Sequence, residues 1–263
     1  MTNYRKLGLS VMLASLICGS AQAADVSPLL AGEPRADEAQ PGWTFSIAPY
    51  FWMAGLSGDT SQFGLPTVHI NADFGDVLDR LDFAFMAAGE ARNGRFSVIG
   101  DIIYTKLSAN GETPFGILAD DVDVTSESFS GLLGVGYAVL DGPEGHLDIV
   151  GGIKVWSVDT TISLNGGILG GIERSDSATW VDGMVGLRGR YWFTPEIYLT
   201  GWGLVGGGGA DFDWDVALGL GYNFNDRISG IVGYRALGVD YSDNGFLFDA
   251  VQQGPILGLA VKF

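Results

Sequence analysis

The chain has 263 residues, of which 47% are apolar and 12% aromatic, with 41 glycines and a formal charge of −17. No stretch supplies the roughly 18 to 20 consecutive apolar residues of a membrane-spanning helix, so the hydrophobicity is spread over short alternating runs, as in an all-β chain. So large an acidic excess excludes a nucleic-acid partner; acidic outer loops could instead meet anionic lipopolysaccharide through divalent cations.

The N-terminus reads as a secretory signal peptide over residues 1–23, with Arg5 and Lys6 in the basic region, an apolar run over 7–17, and the cleavage site Ala21-Gln22-Ala23. The single cysteine, Cys18, leaves with it, because Ser15-Leu16-Ile17 lacks the small residues of a lipidation site. A mature chain without cysteine has neither disulfide nor thiolate chemistry. Residues 24–42, with Pro28, Pro34 and Pro41 among acidic residues, have no period and read as a flexible periplasmic lead.

The barrel domain is expected over 43–263. Its first strand, 43–52, carries aromatics near both ends, where the interfacial girdles of a barrel lie. A long loop over 58–81 follows. In it Phe74, Val77, Leu78 and Leu81 share one face of a short helix and Asp73, Asp76 and Asp79 the other, which suits a helix on the membrane surface or over the barrel mouth. The next strand, 82–92, ends at Asn93-Gly94, a strong hairpin signal. Strands over 95–107 and 122–140 flank a loop over 108–121, and Gly142-Pro143-Glu144-Gly145 turns into a strand over 146–162. A glycine-rich loop over 165–171 leads to a strand over 178–193, the turn Thr194-Pro195-Glu196, and a strand over 197–205. After residues 206–211, Trp214, Val216, Leu218, Leu220, Tyr222 and Phe224 alternate as a lipid-facing row. Asn225-Asp226 turns into a strand over 227–241, and a loop over 242–245 precedes the last strand.

In that last strand Pro255, Leu257, Leu259, Val261 and the terminal Phe263 occupy one face, and Gly254, Ile256, Gly258, Ala260 and Lys262 the other. A terminal aromatic preceded by alternating apolar residues resembles the closing strand of bacterial outer-membrane barrels. The resemblance implies that Leu257, Leu259, Val261 and Phe263 are read by the barrel-assembly machinery. Tight turns alternating with longer loops describe a closed antiparallel up-and-down transmembrane β-barrel with both termini at the periplasmic end. Ten strands rank first; eight follow if the region around 197–224 is misread, and twelve if 67–72 forms an extra strand.

If Phe96, Trp214 and Phe263 face lipid, the opposite faces point inward. The lumen then holds Glu90, Asp101, Asp148, Asp182 and Asp215 against Arg92, Lys154, Arg188, Arg190 and Arg235, with Trp156, Met184 and Trp202 adding bulk. Buried charges persist when paired, so balanced signs predict a plugged interior rather than a pore with one dominant sign.

Candidate chemistry is sparse. Gly201-Trp-Gly-Leu-Val-Gly206 matches a nucleotide-binding pattern but lies inside a strand with no helix after it, so it reads as wall glycine and no cofactor is expected. Asp211, Asp213 and Asp215 form one carboxylate cluster and Asp120, Asp121 and Asp123 another, both without the spacing of an EF-hand; solvated loop tips are the simpler reading. The two histidines, in His69-Ile-Asn71 and His146-Leu-Asp148, lack the serine two residues on that barrel lipases and deacylases use. No Asp-His dipeptide of omptin-type proteases occurs, and the chain is not expected to be an enzyme.

Three segments, Trp180-Val-Asp-Gly-Met-Val-Gly-Leu-Arg-Gly-Arg-Tyr-Trp-Phe193, Leu218-Gly-Leu-Gly-Tyr-Asn-Phe-Asn-Asp226 and Gly233-Tyr-Arg-Ala-Leu-Gly-Val-Asp-Tyr241, resemble an uncharacterised family of proteobacterial outer-membrane barrels, small OmpA-like or porin-like proteins. The resemblance covers most of the mature chain. It implies a barrel integral to the outer membrane and transfers no catalytic residue. The expected role is structural or surface-interacting with a largely filled lumen, and the alternative is a narrow channel for small solutes.

Overall fold

The computed structural model describes residues 42–112, 121–167 and 170–263. The expected signal peptide, the lead up to residue 41 and Asp120 lie outside the described residues. In chain order the elements are β1 (Thr44–Trp52), β2 (Gly55–Ser61), β3 (Val68–Ala72), α1 (Phe74–Asp79), β4 (Leu81–Asn93), β5 (Phe96–Glu112) and β6 (Asp121–Gly142). They continue with β7 (Gly145–Asn165), β8 (Ile172–Trp192), β9 (Ile197–Gly208), β10 (Phe212–Asn223), β11 (Ile228–Asp243) and β12 (Phe246–Lys262).

Alternation of large apolar and small or polar residues forces each strand to show one face outward and one inward. In β10, Val216, Leu218, Leu220 and Tyr222 are exposed while Asp215, Ala217, Gly219 and Gly221 are buried. The wall runs β1-β4-β5-β6-β7-β8-β9-β10-β11-β12 and closes through the pairing of β1 with β12, so ten staves form an antiparallel transmembrane barrel. Around it runs an exposed apolar belt. Phe45, Phe96, Tyr137, Tyr191, Tyr222 and Phe263 mark the end where the tight turns lie, and Phe51, Phe83, Phe85 and Tyr234 lie toward the loop end. The apolar face and aromatic rims are those a barrel presents to lipid.

The expected long loop over 58–81 is instead structured, and this corrects the sequence reading. The inner half of β12 pairs with β1, from Ser46–Lys262 to Trp52–Ile256, and its outer half pairs with β2, from Gly55–Gln253 to Ser61–Leu247. β1 and β2 are therefore one stave broken at Met53 and Ala54. At the break a Cβ on Gly254 would stand 1.9 Å from the Met53 carbonyl oxygen, while Met53 N donates to Pro255 O at 2.9 Å. Only glycine lets the two backbones pass so closely. β3, which includes the stretch that could have made a twelfth strand, pairs with β2 outside the closed wall.

At the β2–β3 tip, Phe63 takes a positive φ of 58° and its amide donates to Asp176 Oδ2 on β8, at 2.6 Å. The hairpin thus reaches across the mouth. The helix takes the other expected position: Asp73 caps α1 in a capping box with Asp76, and Phe74 meets the outward ring of Phe51 edge-on at 6.0 Å, so α1 lies on the barrel exterior.

The strands of the tall side outrun their expected ends. β6, β7 and β8 have 22, 21 and 21 residues, against 12 in each of β9 and β10. A tilted membrane-crossing strand needs about 9 to 11, so this side projects well beyond the belt. Above the belt, hydroxyl pairs such as Thr105–Ser128 at 2.7 Å, Ser157–Thr179 at 2.9 Å and Thr161–Ser175 at 2.8 Å continue the ladder. The apolar alternation that announces a strand fades there, while cross-strand pairing does not.

Candidate functional site

The inward side chains form layers along the barrel axis. Beneath the hairpin tip lies an aromatic layer in which Trp180 stacks on Tyr241 at 4.0 Å and on Trp156 at 5.9 Å, with Phe248 against both indoles. Trp52, Phe246, Leu237 and Val239 belong to the same buried cluster. It exists because β7, β8, β11 and β12 each place an aromatic at the same height, a coincidence of register that pairing alone fixes.

Below it Lys154, 1% exposed, donates to Asp213 at 2.8 Å, and Trp156 Nε1 donates to the other oxygen of the same carboxylate at 2.7 Å. Asp182, the cross-strand neighbour of Lys154, accepts instead from the amide of Ala210 in the β9–β10 turn at 2.8 Å. It ties a loop down rather than balancing a cation. Asp213 is the partner that the sequence reading omitted, although it shares the parity of Asp215.

The middle of the lumen is held by Arg235. Its guanidinium, 2% exposed, bonds both oxygens of Asp215 at 3.1 and 2.6 Å, Asp101 at 2.8 Å and the Tyr50 hydroxyl at 2.6 Å. Tyr50 donates to Asp101 at 3.0 Å, Trp202 Nε1 donates to Asp215 at 2.9 Å, and the Trp52 and Trp202 rings lie 5.4 and 5.2 Å from the guanidinium carbon. One cation thus serves two carboxylates and sits among π faces, an arrangement suited to arginine and not to lysine.

Nearer the turn end, Glu90 accepts from Arg92 at 2.8 Å and from Arg188 at 2.7 Å. Arg92 also pairs with the fully buried Asp148, which further contacts His146 at 3.1 Å and accepts from the Ser97 hydroxyl at 3.4 Å. Arg190 has no carboxylate within ion-pair distance among the described residues; its guanidinium lies 4.8 Å from the Tyr198 ring. All ten predicted lumen charges point inward, and eight of them join ion pairs; Asp182 and Arg190 do not.

Two cavities follow one another in this half. A chamber of about 100 Å³ beneath Tyr50 and Arg235 is lined by Ala48, Ala88, Ala217, Gly219 and Gly258 together with Glu90, Arg188 and Arg190. A vestibule of about 340 Å³, sharing Ser46, Glu90, Arg190 and Ala260 with the chamber, continues past Arg92, His146 and Tyr198 to Arg227 and Lys262.

The proposed carboxylate clusters resolve differently. Asp213 and Asp215 are occupied by Lys154 and Arg235, and Asp123 accepts from Asn165 at 2.6 Å. Among the described residues no group of three His, Cys, Asp or Glu is placed to hold a metal ion. The glycines from 206 to 208 extend β9 rather than forming a loop. Outside the belt, Lys106 bonds Glu127 at 2.9 Å and holds its carboxyl below the usual range. Also on the exterior, Asp240 faces Asp249 across β11 and β12; partial burial, then Asp249 and Asp211, push its carboxyl up. His69 meets Asp59 at 2.8 Å, exposed on the β2–β3 hairpin.

No protein-family model and no curated protein matches the chain. Among solved structures it is similar to the outer-membrane protease OmpT of Escherichia coli, at 13% identity and a TM-score of 0.51, over 85% of this chain and 98% of that one. It is also matched to Ail, the attachment invasion locus protein of Yersinia pestis, at 14% identity and a TM-score of 0.37, over 84% of this chain and 99% of that one. Neisserial surface protein A matches at 13% identity and a TM-score of 0.32, over 84% and 99%. The likeness to OmpT is one of fold: a closed antiparallel barrel.

Proposed function

We propose that this is an integral barrel of the bacterial outer membrane with a sealed lumen, serving a structural or surface-interacting role. The observation that carries the reading is the unbroken succession of hairpin tip, aromatic layer and Arg235 network across the lumen. A water path would have to displace stacked indoles and desolvated ion pairs together, and each removal costs several kcal/mol. In this reading the tight turns face the periplasm, the tall β5–β8 sheet faces outward, and its hydroxyl-rich surface meets lipopolysaccharide or another cell-surface partner. The C-terminal strand carries Leu257, Leu259, Val261 and Phe263 outward to lipid, and assembly machinery would read it before insertion.

Planar-bilayer recording of the purified barrel tests the sealing. We expect a silent wild type, and a conducting variant when Trp156, Trp180 and Arg235 are all changed to Ser. Steady conductance in the wild type would replace this reading with the narrow solute channel. A protease is the second reading that fold similarity to OmpT raises. Here Asp59 and His69 are solvent-exposed on the β2–β3 hairpin and line neither cavity, so we expect fluorogenic peptides to remain intact; cleavage abolished by His69→Ala would overturn the non-enzymatic role.

A further inference from the structure

The half of the lumen below Arg235 is not filled, and its charges do not balance. Arg92, Arg188 and Arg190 face Glu90 and Asp148, which leaves one cation in excess, in a chain whose formal charge is −17. Among the described residues Arg188 Nη1 and Arg190 Nε are buried without a hydrogen-bond partner. A buried guanidinium N–H without an acceptor is costly. Both arginines line the chamber, and Arg190 also lines the vestibule that leads out at the turn end.

Beside Ser46, Glu90 and Thr200, much of the remaining chamber lining is small and apolar. Ala48, Ala88, Ala217, Gly219 and Gly258 stand where larger residues would close the space, although elsewhere the lumen is packed with indoles and long charged side chains. The orphan donors and the empty apolar space are adjacent. A ligand that met both would carry an oxyanion at one end and a short hydrocarbon chain at the other. The chamber, at about 100 Å³, is somewhat smaller than the cavity of about 150 Å³ that holds benzene, so the chain would be short. At the vestibule mouth Arg227 and Lys262 outnumber Asp226, and the remaining positive charge would draw an anion inward.

We propose that the turn-end half of the lumen is a binding site for a short-chain aliphatic carboxylate. Its carboxylate accepts from Arg188 Nη1 and Arg190 Nε, and its alkyl chain lies against Ala48, Ala88 and Ala217 beneath the Arg235–Tyr50 plug.

Calorimetric titration of the full barrel in non-ionic detergent, with hexanoate, hexylamine and inorganic phosphate as probes, tests this. Hexanoate should saturate one site and hexylamine should not. Arg190→Met should weaken hexanoate by about tenfold or more, the scale of one charge-assisted hydrogen bond. Ala48→Leu fills the chamber without touching a charge and should abolish hexanoate binding with the melting temperature retained, which keeps the test decisive if Arg190→Met fails to fold. Absence of saturable hexanoate binding, or binding indifferent to Ala48→Leu, would overturn the proposal, because water alone would then satisfy the arginines. Phosphate binding without hexanoate binding would overturn the role of the apolar chamber.

Discussion

Arg235 is the residue on which the interior most depends. Replacing it with Met leaves Asp101 and Asp215 facing each other unpaired in a site closed to water, and breaking a buried network in this way costs about 3–5 kcal/mol. The expected result is a large fall in melting temperature, read by heat-modifiable gel mobility, with partial recovery when Asp215→Asn is added. At the rim the signs run the other way for two carboxyls. Asp240 lies opposite Asp249 and is held above the usual carboxylate range, so its folded form binds a proton more readily than its unfolded form. Stability from this site therefore rises as pH falls from neutrality toward about 4. Asp240→Asn should raise the melting temperature at neutral pH by the equivalent of about 0.5 kcal/mol or less, since solvent screens the pair, and should remove that rise on acidification. Glu127, held low by Lys106, contributes stability above the ordinary carboxylate range that is lost as pH falls through its lowered value. That contribution is small at so exposed a pair.

Among the elements, the β2–β3 hairpin decides how the outer mouth is covered. Its tip is joined to the far wall by the bond from Phe63 to Asp176, and few apolar contacts hold it, so it should be an early site of local opening. Asp176→Ala should increase hydrogen exchange in residues 60–66 while leaving β6 and β7 protected; unchanged exchange at the tip would mean the bond does not hold the hairpin. β9 and β10 show the complementary device. A Cβ at Gly221 would stand 2.0 Å from the Tyr198 ring, which itself lies beneath Arg190 and bonds Ser229 at 3.0 Å. Gly221→Ala must push that ring aside, and we expect a destabilisation of about 1–3 kcal/mol by overpacking, measured by thermal melting.

For the whole molecule, the wall is uneven in height. On the β6–β8 side the strands run well beyond the apolar belt, and on the β9–β10 side they end near it. The charges follow the same axis: paired cations cluster inside the barrel, while acidic residues such as Asp59, Asp240 and Asp249 collect on the outer rim. Truncating Phe263 would leave the folded wall nearly unchanged, because its side chain is 74% exposed. If the terminal strand is an insertion signal, the truncated chain should appear more slowly in heat-resistant form in outer-membrane fractions, with the melting temperature of the folded product preserved.

The sequence by itself determined the barrel, its ten staves, the placement of tight turns at one end, and the inward direction of all ten predicted charges. A period of two is a local property, and each Asn-Gly or Pro-Glu turn declares itself within four residues. It misjudged the stretch from 58 to 72, where Gly58, Asp59, Thr60 and Ser61 look like a loop but pair with β12 almost 190 residues away, and where Val68–Ala72 then pairs back on β2. Partners were decided by the tertiary structure alone. Lys154 chose Asp213 over its cross-strand neighbour Asp182, Arg235 gathered Asp101 from the opposite wall, and Arg190 found an aromatic ring instead of a carboxylate. Parity fixes which way a side chain points, but the height at which it meets another across the lumen depends on register accumulated around the whole closed sheet.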